Sequence, residues 1–384
     1  MKRRDFFKAG SSLAALSLAG AGLRNFAISE ARIREPNAPE SSTDPAGRRM
    51  IEKFPRYRGF NLTEKAGGRG PGRKFNEEDF EIMAEWGLNF ARIPMSYWNW
   101  ASKDDWYTIH EDWMTDIDEV VDFGRQYNVH INLNMHRVPG YCINGRDLEP
   151  MDLFNDTPER MQKALDAVVY HWKYFARRYK GIPNSRVSFD LINEPPKRTD
   201  EVRYVQIVKA VVSGIREEDP DRLIVVDGKD IGRSPVLGVA DLGVVQSTRG
   251  YDPMAVSHYT ATWVPKDEFE TFNPPTWPLR GDDRKLWDKA ALKAKLIDRW
   301  QPLVEQGVQV HVGEWGCYNQ TPHDVVLSWM RDILSLWKEA GWGQAMWNLK
   351  GTFGVLNSER KDVQYENYKG HKLDRKMLEL LKEY

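Results

Sequence analysis

Eight short apolar runs alternate with amphipathic stretches from Tyr57 to the end of the chain, and this alternation restricts the possible folds more than any other feature. Short runs of branched and aromatic residues predict buried strands, and the stretches between them have the spacing of helices that bury one face. Strands that alternate with helices form a parallel sheet covered by helices. Eight such units around one core fit a closed (β/α)8 TIM barrel, of the α/β class, better than an open sheet.

The predicted elements follow this rhythm along the whole barrel. The predicted strands are 57–62, 89–95, 130–136, 187–194, 223–227, 243–251, 309–314 and 344–348. The predicted helices are 77–86, 113–127, 158–179, 201–218, 285–306, 325–340 and 373–382, with one short helix at 233–242. Asn76, and either Asp156 or Thr157 before Pro158, are the residue types that start helices. Long segments follow three strands and are expected to form walls on the same side of the barrel: 97–112, 139–157 and 252–284.

Two glutamates, Glu194 and Glu314, each end a predicted buried strand. Burying a carboxylate in that position costs free energy, so such a group is expected to have a charged or hydrogen-bonding partner or a role in chemistry. In a parallel barrel the carboxyl ends of the strands meet at one rim, where the chemistry of such barrels is found. A pair of carboxyl groups is what acid–base and nucleophilic work on a glycosidic bond requires. The alternative, that both are strand-end charges facing solvent, suits an isolated glutamate better than this pair.

Other polar and aromatic side chains lie at the same ends of the predicted strands. They are Arg92, His136, Asn193, Arg249, Tyr251 and Trp347. Each has a structural explanation when taken alone, because an arginine can form a structural ion pair and a histidine can be a hydrogen-bonded core residue. Together with Glu314 they mark six strand ends at one rim, which is harder to explain by stability, so we interpret them as a candidate active site.

These strand ends resemble those of glycoside hydrolase family 5, in the large clan of retaining barrel glycosidases. The resemblance runs from about residue 58 to residue 347 and rests on three motifs: Asn-Glu-Pro at 193–195, Gly-Glu-Trp-Gly at 313–316 and Arg-Ile-Pro at 92–94. Asn-Glu-Pro is the most specific of them, since in that clan it marks the acid/base at the end of strand four. The resemblance implies a glycosidase that acts on polysaccharides or oligosaccharides.

The resemblance also implies catalytic roles. Glu194 is expected to be the general acid/base, with a pKa raised by partial burial and by the anion of Glu314. Glu314 is expected to be the nucleophile, held ionised by Arg92. Asn193 is expected to bind the 2-hydroxyl of the sugar. Retention requires the two carboxyl groups to lie roughly 5–5.5 Å apart, against about 6.5–9.5 Å for inversion.

Aromatic residues supply the other expected substrate contacts. Trp347 is expected to form the floor under the sugar at the cleavage point, and His136 to bind substrate or support the site. Five tryptophans in the long loops are further candidates, because sugars stack their C–H faces on aromatic rings: Trp98, Trp100, Trp106, Trp263 and Trp277. Of these we favour Trp98 and Trp263.

The sixth strand departs from the family pattern. The family usually ends this strand in His-x-Tyr, whereas we align Arg249, Gly250 and Tyr251 there, so that an arginine replaces the histidine. A rival alignment uses residues 256–259 as the strand end; in our alignment His258 becomes a substrate-loop residue. An arginine beside Glu194 tends to lower the pKa of that carboxyl.

Composition excludes several classes of partner. A formal net charge of −1 gives no electrostatic preference for nucleic acid or an anionic membrane. The two cysteines, Cys142 and Cys317, lack metal-ligand spacing, and we expect free buried thiols rather than a disulfide. We therefore expect no metal, no cofactor and a monomer.

The amino-terminal residues have the composition of a targeting segment. Residues 2–8 resemble a twin-arginine motif, and the weakly apolar residues 9–23 are too short for a membrane anchor. We expect a signal peptide at 1–30, a linker at 31–50 rich in proline, serine and charge, and the glycoside hydrolase domain at 51–384. The mature protein is then exported through the twin-arginine route and is periplasmic or extracellular.

Four functional hypotheses remain open at this point. The first is a secreted retaining endo-β-1,4-glucanase, or a relative that acts on mannan or another plant-type glycan. The second is an exo-acting glycosidase on short or side-chain sugars. The third is a non-catalytic carbohydrate-binding barrel, which has no need for two facing carboxylates. The fourth is a metal-dependent hydrolase, which the strand end at Asn61, without a His-x-His pair, disfavours.

Overall fold

Eight parallel strands close into a barrel in this computed structural model. They are β1 (Arg58–Asn61), β2 (Phe90–Ser96), β3 (His130–Val138), β4 (Val187–Asp190), β5 (Ile224–Asp227), β6 (Val245–Gly250), β7 (Val310–Trp315) and β8 (Gln344–Met346). Each strand pairs in parallel with the next, and β8 pairs with β1. The predicted (β/α)8 barrel is therefore confirmed.

The structure describes residues 53–68, 70–264, 273–280 and 286–384, without the side chain of Arg146. The predicted signal peptide and linker at 1–50 lie outside the described residues. Among the described helices, none is both long and apolar enough to cross a bilayer. Cys142 and Cys317 are both free and buried, as expected.

Long helices cover the barrel between its strands. They are α1 (Glu77–Glu85), α2 (Glu111–Tyr127), α3 (Pro158–Arg178), α4 (Glu201–Glu218), α5 (Lys289–Leu296), α6 (His323–Ala340) and α7 (Arg375–Glu383). Asn76 caps α1 by accepting a hydrogen bond from the backbone N–H of Glu78, as predicted. Of the two candidates before α3, Thr157 is the cap, and its hydroxyl accepts from the backbone N–H of Arg160.

Two predicted helices are interrupted by proline. The predicted helix 285–306 is divided into three segments: α5, a 3-10 turn at Asp298–Trp300 and a short helix at Gln301–Val304. Residue 285 lies outside the described part of the chain. Pro302 has no backbone N–H, so it ends a helix that arrives from α5 and is tolerated only in a new first turn. Of the predicted helix 233–242, only a 3-10 helix at Leu237–Leu242 forms, after Pro235, and the short segment Lys229–Gly232 lies before the predicted range.

Short antiparallel pairs escaped the sequence prediction. Tyr141–Cys142 turns back onto the end of β3, Leu279–Arg280 pairs with Leu286–Trp287, and Glu366–Tyr368 pairs with His371–Leu373. The last pair moves the start of the final helix from the predicted residue 373 to Arg375. Strands of two or three residues have too little periodicity to be recognised in a sequence.

An aromatic cluster fills the end of the barrel where the strands begin. Phe54, Tyr57 and Phe90 pack there with the imidazoles of His130 and His311, and the rings of Phe90 and His130 stack at 5.5 Å. Burial lowers the pKa of His130 to about 4 and that of His311 to about 3, so both rings are neutral at pH 7. The cluster closes this end, and polar side chains collect at the other.

Candidate active site

Glu314 lies near the end of β7 and is held by two donors from other strands. Arg92 Nη1, from β2, lies 2.6 Å from Glu314 Oε1. The hydroxyl of Tyr251, which directly follows β6, donates to Oε2 at 3.2 Å. The Glu314 side chain is only 5% exposed. Charge-assisted hydrogen bonds of this kind are strong and directional, so they fix the orientation of the Glu314 carboxylate.

Glu194 follows β4 in an unusual backbone conformation. The strand ends at Asp190, four residues earlier than the sequence predicted, and Glu194 has a φ of 46°. A left-handed conformation costs about 1–3 kcal/mol for a residue other than glycine. It is supported by the backbone N–H of Glu194, which donates to Asp227 Oδ2 at 2.8 Å, and by the hydroxyl of Tyr141, which donates to the Glu194 carbonyl. This turn re-aims a side chain that a regular strand would have directed elsewhere.

The carboxyl of Glu194 contacts Arg249. The Nε of Arg249 lies 2.8 Å from Glu194 Oε1. Burial is the largest influence on this carboxyl, and together with the charge of Glu314 it raises the pKa of Glu194 to about 7, although Arg249 opposes the shift. The expected direction of the shift is therefore found, and its causes include the two that we expected. A carboxyl with this pKa can hold and release a proton near neutral pH.

The strand-six alignment is resolved in favour of Arg249 and Tyr251. The strand β6 runs from Val245 to Gly250, and Tyr251 leaves it to reach Glu314. The rival segment at 256–259 is not a strand, since Met254–Ser257 is a short helix. His258 lies on the loop beyond it, as the preferred alignment requires.

Asn193 joins the two arginines. Its Oδ1 accepts from Nη2 of Arg92 and from Nη2 of Arg249, at 2.9 Å in both cases. Its Nδ2 is buried and has no hydrogen-bond partner among the described residues. A buried amide donor without a protein partner is costly, and a sugar hydroxyl beside it would remove that cost.

Arg92 contacts the carboxylate of Glu314 and is set back from the main cavity. The residue is fully buried, and its guanidinium is occupied by Asp190, Asn61, Asn193 and Glu314. It is not among the residues that line the main cavity. Arg92 therefore contacts the carboxylate of Glu314 and not a bound sugar.

A cavity of about 840 Å³ opens at this rim and is lined by both glutamates. The other predicted site residues that line it are Arg249, Tyr251, His136, His258, Trp263 and Trp347, whereas Asn193, like Arg92, lies behind the lining. The rings of His136 and Trp347 stack at 5.6 Å with an interplanar angle of 22°. Burial and the nearby arginines lower the pKa of His136 well below its ordinary value, so the ring is neutral. A neutral imidazole beside an indole can offer both a hydrogen bond and an apolar surface to a sugar.

Trp263 lies at the mouth of this cavity and is 57% exposed. Its ring meets Tyr318 edge-on at 4.9 Å and lies 6.4 Å from the ring of His258. Burial lowers the pKa of His258 to about 4, and its Nδ1 is 2.8 Å from the hydroxyl of Ser257. These rings form an aromatic wall that faces solvent on one side.

Trp98 is not in this cavity, contrary to the expectation that it contacts substrate at the cleft. Its indole is buried, its N–H donates to Glu149 Oε1 at 3.0 Å, and it lines a separate cavity of about 200 Å³. Trp100, Trp106 and Trp277 are likewise absent from the lining of the main cavity. Of the five loop tryptophans, Trp263 alone lines it, because Trp98, Trp100 and Trp106 pack into the hydrophobic core and Trp277 packs against that core and donates to Asp332.

Two buried aspartates at this rim were missed by the sequence interpretation. Asp190 Oδ2 lies 2.8 Å from Arg92 Nε, and Asp227 accepts from both terminal nitrogens of Arg249. Burial is the main cause that raises the pKa of Asp190 to about 7, against the opposing charge of Arg92. Both aspartates end predicted or observed strands, so the strand-end rule that selected Glu194 could also have selected them.

Among the described residues, no group of three or more histidine, cysteine, aspartate or glutamate side chains is arranged to hold a metal ion. The charged groups of the site are paired with each other instead. The chemistry that they can perform is proton transfer and nucleophilic attack by carboxylates.

Comparison with known proteins agrees with this geometry. Endoglucanase C of Acetivibrio thermocellus is 26% identical over 313 residues, covering 76% of this chain and 88% of that protein. Cellodextrinase A of Ruminococcus flavefaciens is 23% identical over 69% of this chain and 75% of its own length. A crystal structure described as a glycoside hydrolase is 39% identical, with a TM-score of 0.79 over 85% of this chain and 99% of that one.

The family model for cellulase (glycosyl hydrolase family 5) matches residues 54–352. This range contains all eight barrel strands and both rim glutamates. The chain belongs to glycosyl hydrolase family 5, the cellulase family, and is a glycosidase that hydrolyses O-glycosyl bonds.

Proposed function

We propose that this chain hydrolyses β-linked glycans with retention of configuration, with Glu314 as nucleophile and Glu194 as general acid/base. One observation carries the proposal: both carboxyls line a single cavity, Arg92 contacts Glu314, and Arg249 contacts Glu194 and also lies 3.4 Å from Glu314. Arg92 and Tyr251 each bind one oxygen of the Glu314 carboxylate and hold it in a fixed orientation, as a nucleophile requires. Burial and the Glu314 anion favour the protonated form of Glu194, which an acid needs.

The proposed reaction has two displacements. In the first, a carboxylate oxygen of Glu314 bonds to the anomeric carbon while the glycosidic C–O bond breaks and Glu194 gives its proton to the leaving oxygen. In the second, water attacks the same carbon, Glu194 takes the proton of that water, and Glu314 leaves as a carboxylate. Arg249 supports the short separation that this requires, since its guanidinium lies 2.8 Å from Glu194 and 3.4 Å from Glu314.

The sugar contacts in this proposal come from residues around the two glutamates. The free Nδ2 of Asn193 would donate to the 2-hydroxyl, a contact expected to strengthen in the oxocarbenium-like transition state. Trp347 and His136 would form the floor beneath the sugar at the cleavage point. Trp263 and His258 would bind a second sugar towards solvent.

We propose an endo-acting β-1,4-glucanase as the specific activity, because several of the relatives are named endoglucanases. The test is a screen of soluble β-glucan, mannan, xylan and small aryl-glycosides with the wild type and with Glu314→Ala. Rapid loss of viscosity with β-glucan, absent in Glu314→Ala, is the expected result. No turnover of any glycan by the wild type, or full activity in Glu314→Ala, would contradict the proposal.

A second candidate is an exo-acting enzyme on short oligosaccharides, which the similarity to Cellodextrinase A favours. Product analysis separates the two candidates. An endo-acting enzyme releases mixed oligosaccharides from the polymer early in the reaction. An exo-acting enzyme releases one short product and leaves the viscosity of the polymer nearly unchanged.

Export through the twin-arginine route remains part of the proposal. Its support is the Arg3–Arg4 pair followed by a short, weakly apolar segment. The test is to express the full chain and Arg3→Lys/Arg4→Lys in a host with a twin-arginine system. The expected result is that the first is exported and processed whereas the second stays in the cytoplasm.

A further inference from the structure

Two relays of ion pairs lie behind the rim glutamates, and they are cross-linked, since Arg92 also lies 4.0 Å from Asp227 and Arg249 lies 3.4 Å from Glu314. In one, Asp190 contacts Arg92 and Arg92 contacts Glu314. In the other, Asp227 contacts Arg249 and Arg249 contacts Glu194. The first relay contains the strand-two arginine that the family motif predicts, and the second contains the arginine that replaces the expected histidine. Asp227 has so far been described only as an acceptor for Arg249 and for the backbone N–H of Glu194.

Asp227 contacts Glu194 by two routes. Its Oδ2 accepts the backbone N–H of Glu194 at 2.8 Å. Its two oxygens also accept from Nη1 and Nη2 of Arg249, whose Nε is the group that contacts the Glu194 carboxyl. Asp227 is fully buried, so water does not compete for these bonds. One carboxylate thus fixes both the strained backbone of Glu194 and the cation beside its side chain.

The chain leaves room for Arg249 in a single position. A Cβ on Gly232 would lie 2.7 Å from Arg249 Cγ, and one on Gly313 would lie 3.0 Å from Arg249 Nη1 and 2.3 Å from Ser247 Oγ. Side chains at either position would displace the guanidinium. The two glycines thus make room for Arg249, and Asp227 holds its guanidinium there.

An arginine in this place creates a difficulty for an acid. A guanidinium 2.8 Å from a carboxyl favours the carboxylate, whereas an acid must hold its proton until the substrate arrives. A buried anion on the far side of the guanidinium reduces this effect, since it offsets part of the positive charge.

We propose that Asp227 is a positioning residue for the acid/base: it fixes Arg249 and the backbone of Glu194, and its charge offsets the guanidinium so that Glu194 can hold a proton beside an arginine. This inference rests on the proposed acid/base role of Glu194. It assigns Asp227 no contact with substrate.

The charged and titratable groups around Glu194 come from several elements. They are Glu314 on β7, Arg249 and Tyr251 on or after β6, Asp227 on β5, Tyr141 and His136 on the β3 side, and Lys197 and Arg233 on loops that line the same cavity. Of these, Glu314 and Asp227 raise the pKa of Glu194, and Arg249 lowers it. Removal of Asp227 should therefore lower the pKa of Glu194, and removal of Arg249 should raise it.

The experiment measures kcat/KM against pH for Asp227→Asn, Arg249→Met and the double variant. Activity that needs protonated Glu194 is lost as pH rises through its pKa. The decline of kcat/KM at high pH, which is the basic limb of the profile, should then move about one pH unit to lower pH in Asp227→Asn. In Arg249→Met this basic limb should move about one unit to higher pH. Shifts in the same direction, or no shift in Asp227→Asn, would overturn the inference.

The double variant keeps the test decisive if Asp227→Asn fails to fold. It leaves neither a buried arginine nor a buried aspartate unpaired at this position, so it avoids the largest cost of the single change. Its basic limb should lie below that of Arg249→Met, because the raising influence of Asp227 is absent. If the two limbs coincide, Asp227 has no electrostatic role.

Two controls separate this inference from the proposed function. Asp230→Asn removes a nearby carboxylate that accepts from the backbone of Arg198, and it should leave the basic limb unmoved. Glu194→Gln should abolish that limb. If Glu194→Gln keeps the basic limb, the acid/base role of Glu194 is refuted. If Glu194→Gln loses the basic limb but Asp227→Asn leaves it at the wild-type pH, only the role of Asp227 is refuted.

Discussion

Arg249 and Glu314 are register partners on the neighbouring strands β6 and β7, and Nη2 of the arginine lies 3.4 Å from Oε1 of the glutamate. The register of β7 shifts between Val312 and Glu314 in its pairing with β6, and between Val312 and Trp315 in its pairing with β8. Such an irregularity re-aims the side chain that follows it. The position of Glu314 is thus set by strand pairing, which holds a functional side chain more rigidly than a loop does.

The stereochemical role of Glu314 can be tested with azide. In Glu314→Ala the nucleophile is absent, so turnover of an activated aryl β-glycoside should fall by about 10³-fold or more. Azide fits the space left by the carboxylate and should restore turnover by bonding to the anomeric carbon from that face. The expected product is an α-glycosyl azide, identified by NMR. A β-glycosyl azide, or no response to azide, would argue against Glu314 as the nucleophile.

The pH dependence of the wild type follows from the pKa of Glu194. Because the pKa is raised to about 7, the acid is protonated below that pH and loses its proton as the pH rises through it. The activity on substrates with poor leaving groups should therefore decline above about pH 7. In Glu194→Gln, activity on such substrates should fall by about 10²- to 10⁴-fold, while activated aryl-glycosides lose much less. An equal loss on both classes of substrate would contradict the acid role.

The hydroxyl of Tyr251 has a measurable effect of its own. It donates to Glu314 Oε2 at 3.2 Å, and a hydrogen bond to a charged group contributes about 1.5–3 kcal/mol. Tyr251→Phe keeps the ring, so kcat should fall by about 10- to 100-fold with little change in melting temperature. Circular dichroism and steady-state kinetics check this. Unchanged kcat would show that the hydroxyl does not support Glu314 during the reaction.

The barrel and the positions of the two glutamates could be predicted because strand ends carry a strong pattern. Each apolar run gave one strand, and the rule that chemistry lies at the carboxyl ends of parallel strands selected Glu194, Arg249 and Glu314 together. The backbone turn at Glu194 could not be predicted. Its φ of 46° depends on the hydrogen bond from its N–H to Asp227, which is 33 residues away in the sequence.

The loop tryptophans show the limit of the same approach. Trp98 and Trp263 both follow strands in long loops, and nothing in their local sequence separates them. The structure separates them by partners distant in sequence, since Trp98 donates to Glu149 and lies beneath the guanidinium of Arg137, while Trp263 stays exposed beside Tyr318. A loop residue's exposure depends on packing between loops, which spacing within one loop does not record.

Substitution of these two tryptophans should therefore give opposite results. Trp263→Ala removes an exposed ring at the mouth of the cavity, so KM for oligosaccharides should rise by about threefold to tenfold with unchanged stability. Trp98→Ala removes a buried ring and its hydrogen bond, so the free energy of unfolding should fall by about 3–5 kcal/mol. Its KM should stay close to that of the wild type, because Trp98 is outside the cavity that contains Glu194 and Glu314. Urea denaturation and oligosaccharide kinetics on both variants measure the two effects. A raised KM in Trp98→Ala together with wild-type KM in Trp263→Ala would mean that substrate enters from the other side of the rim.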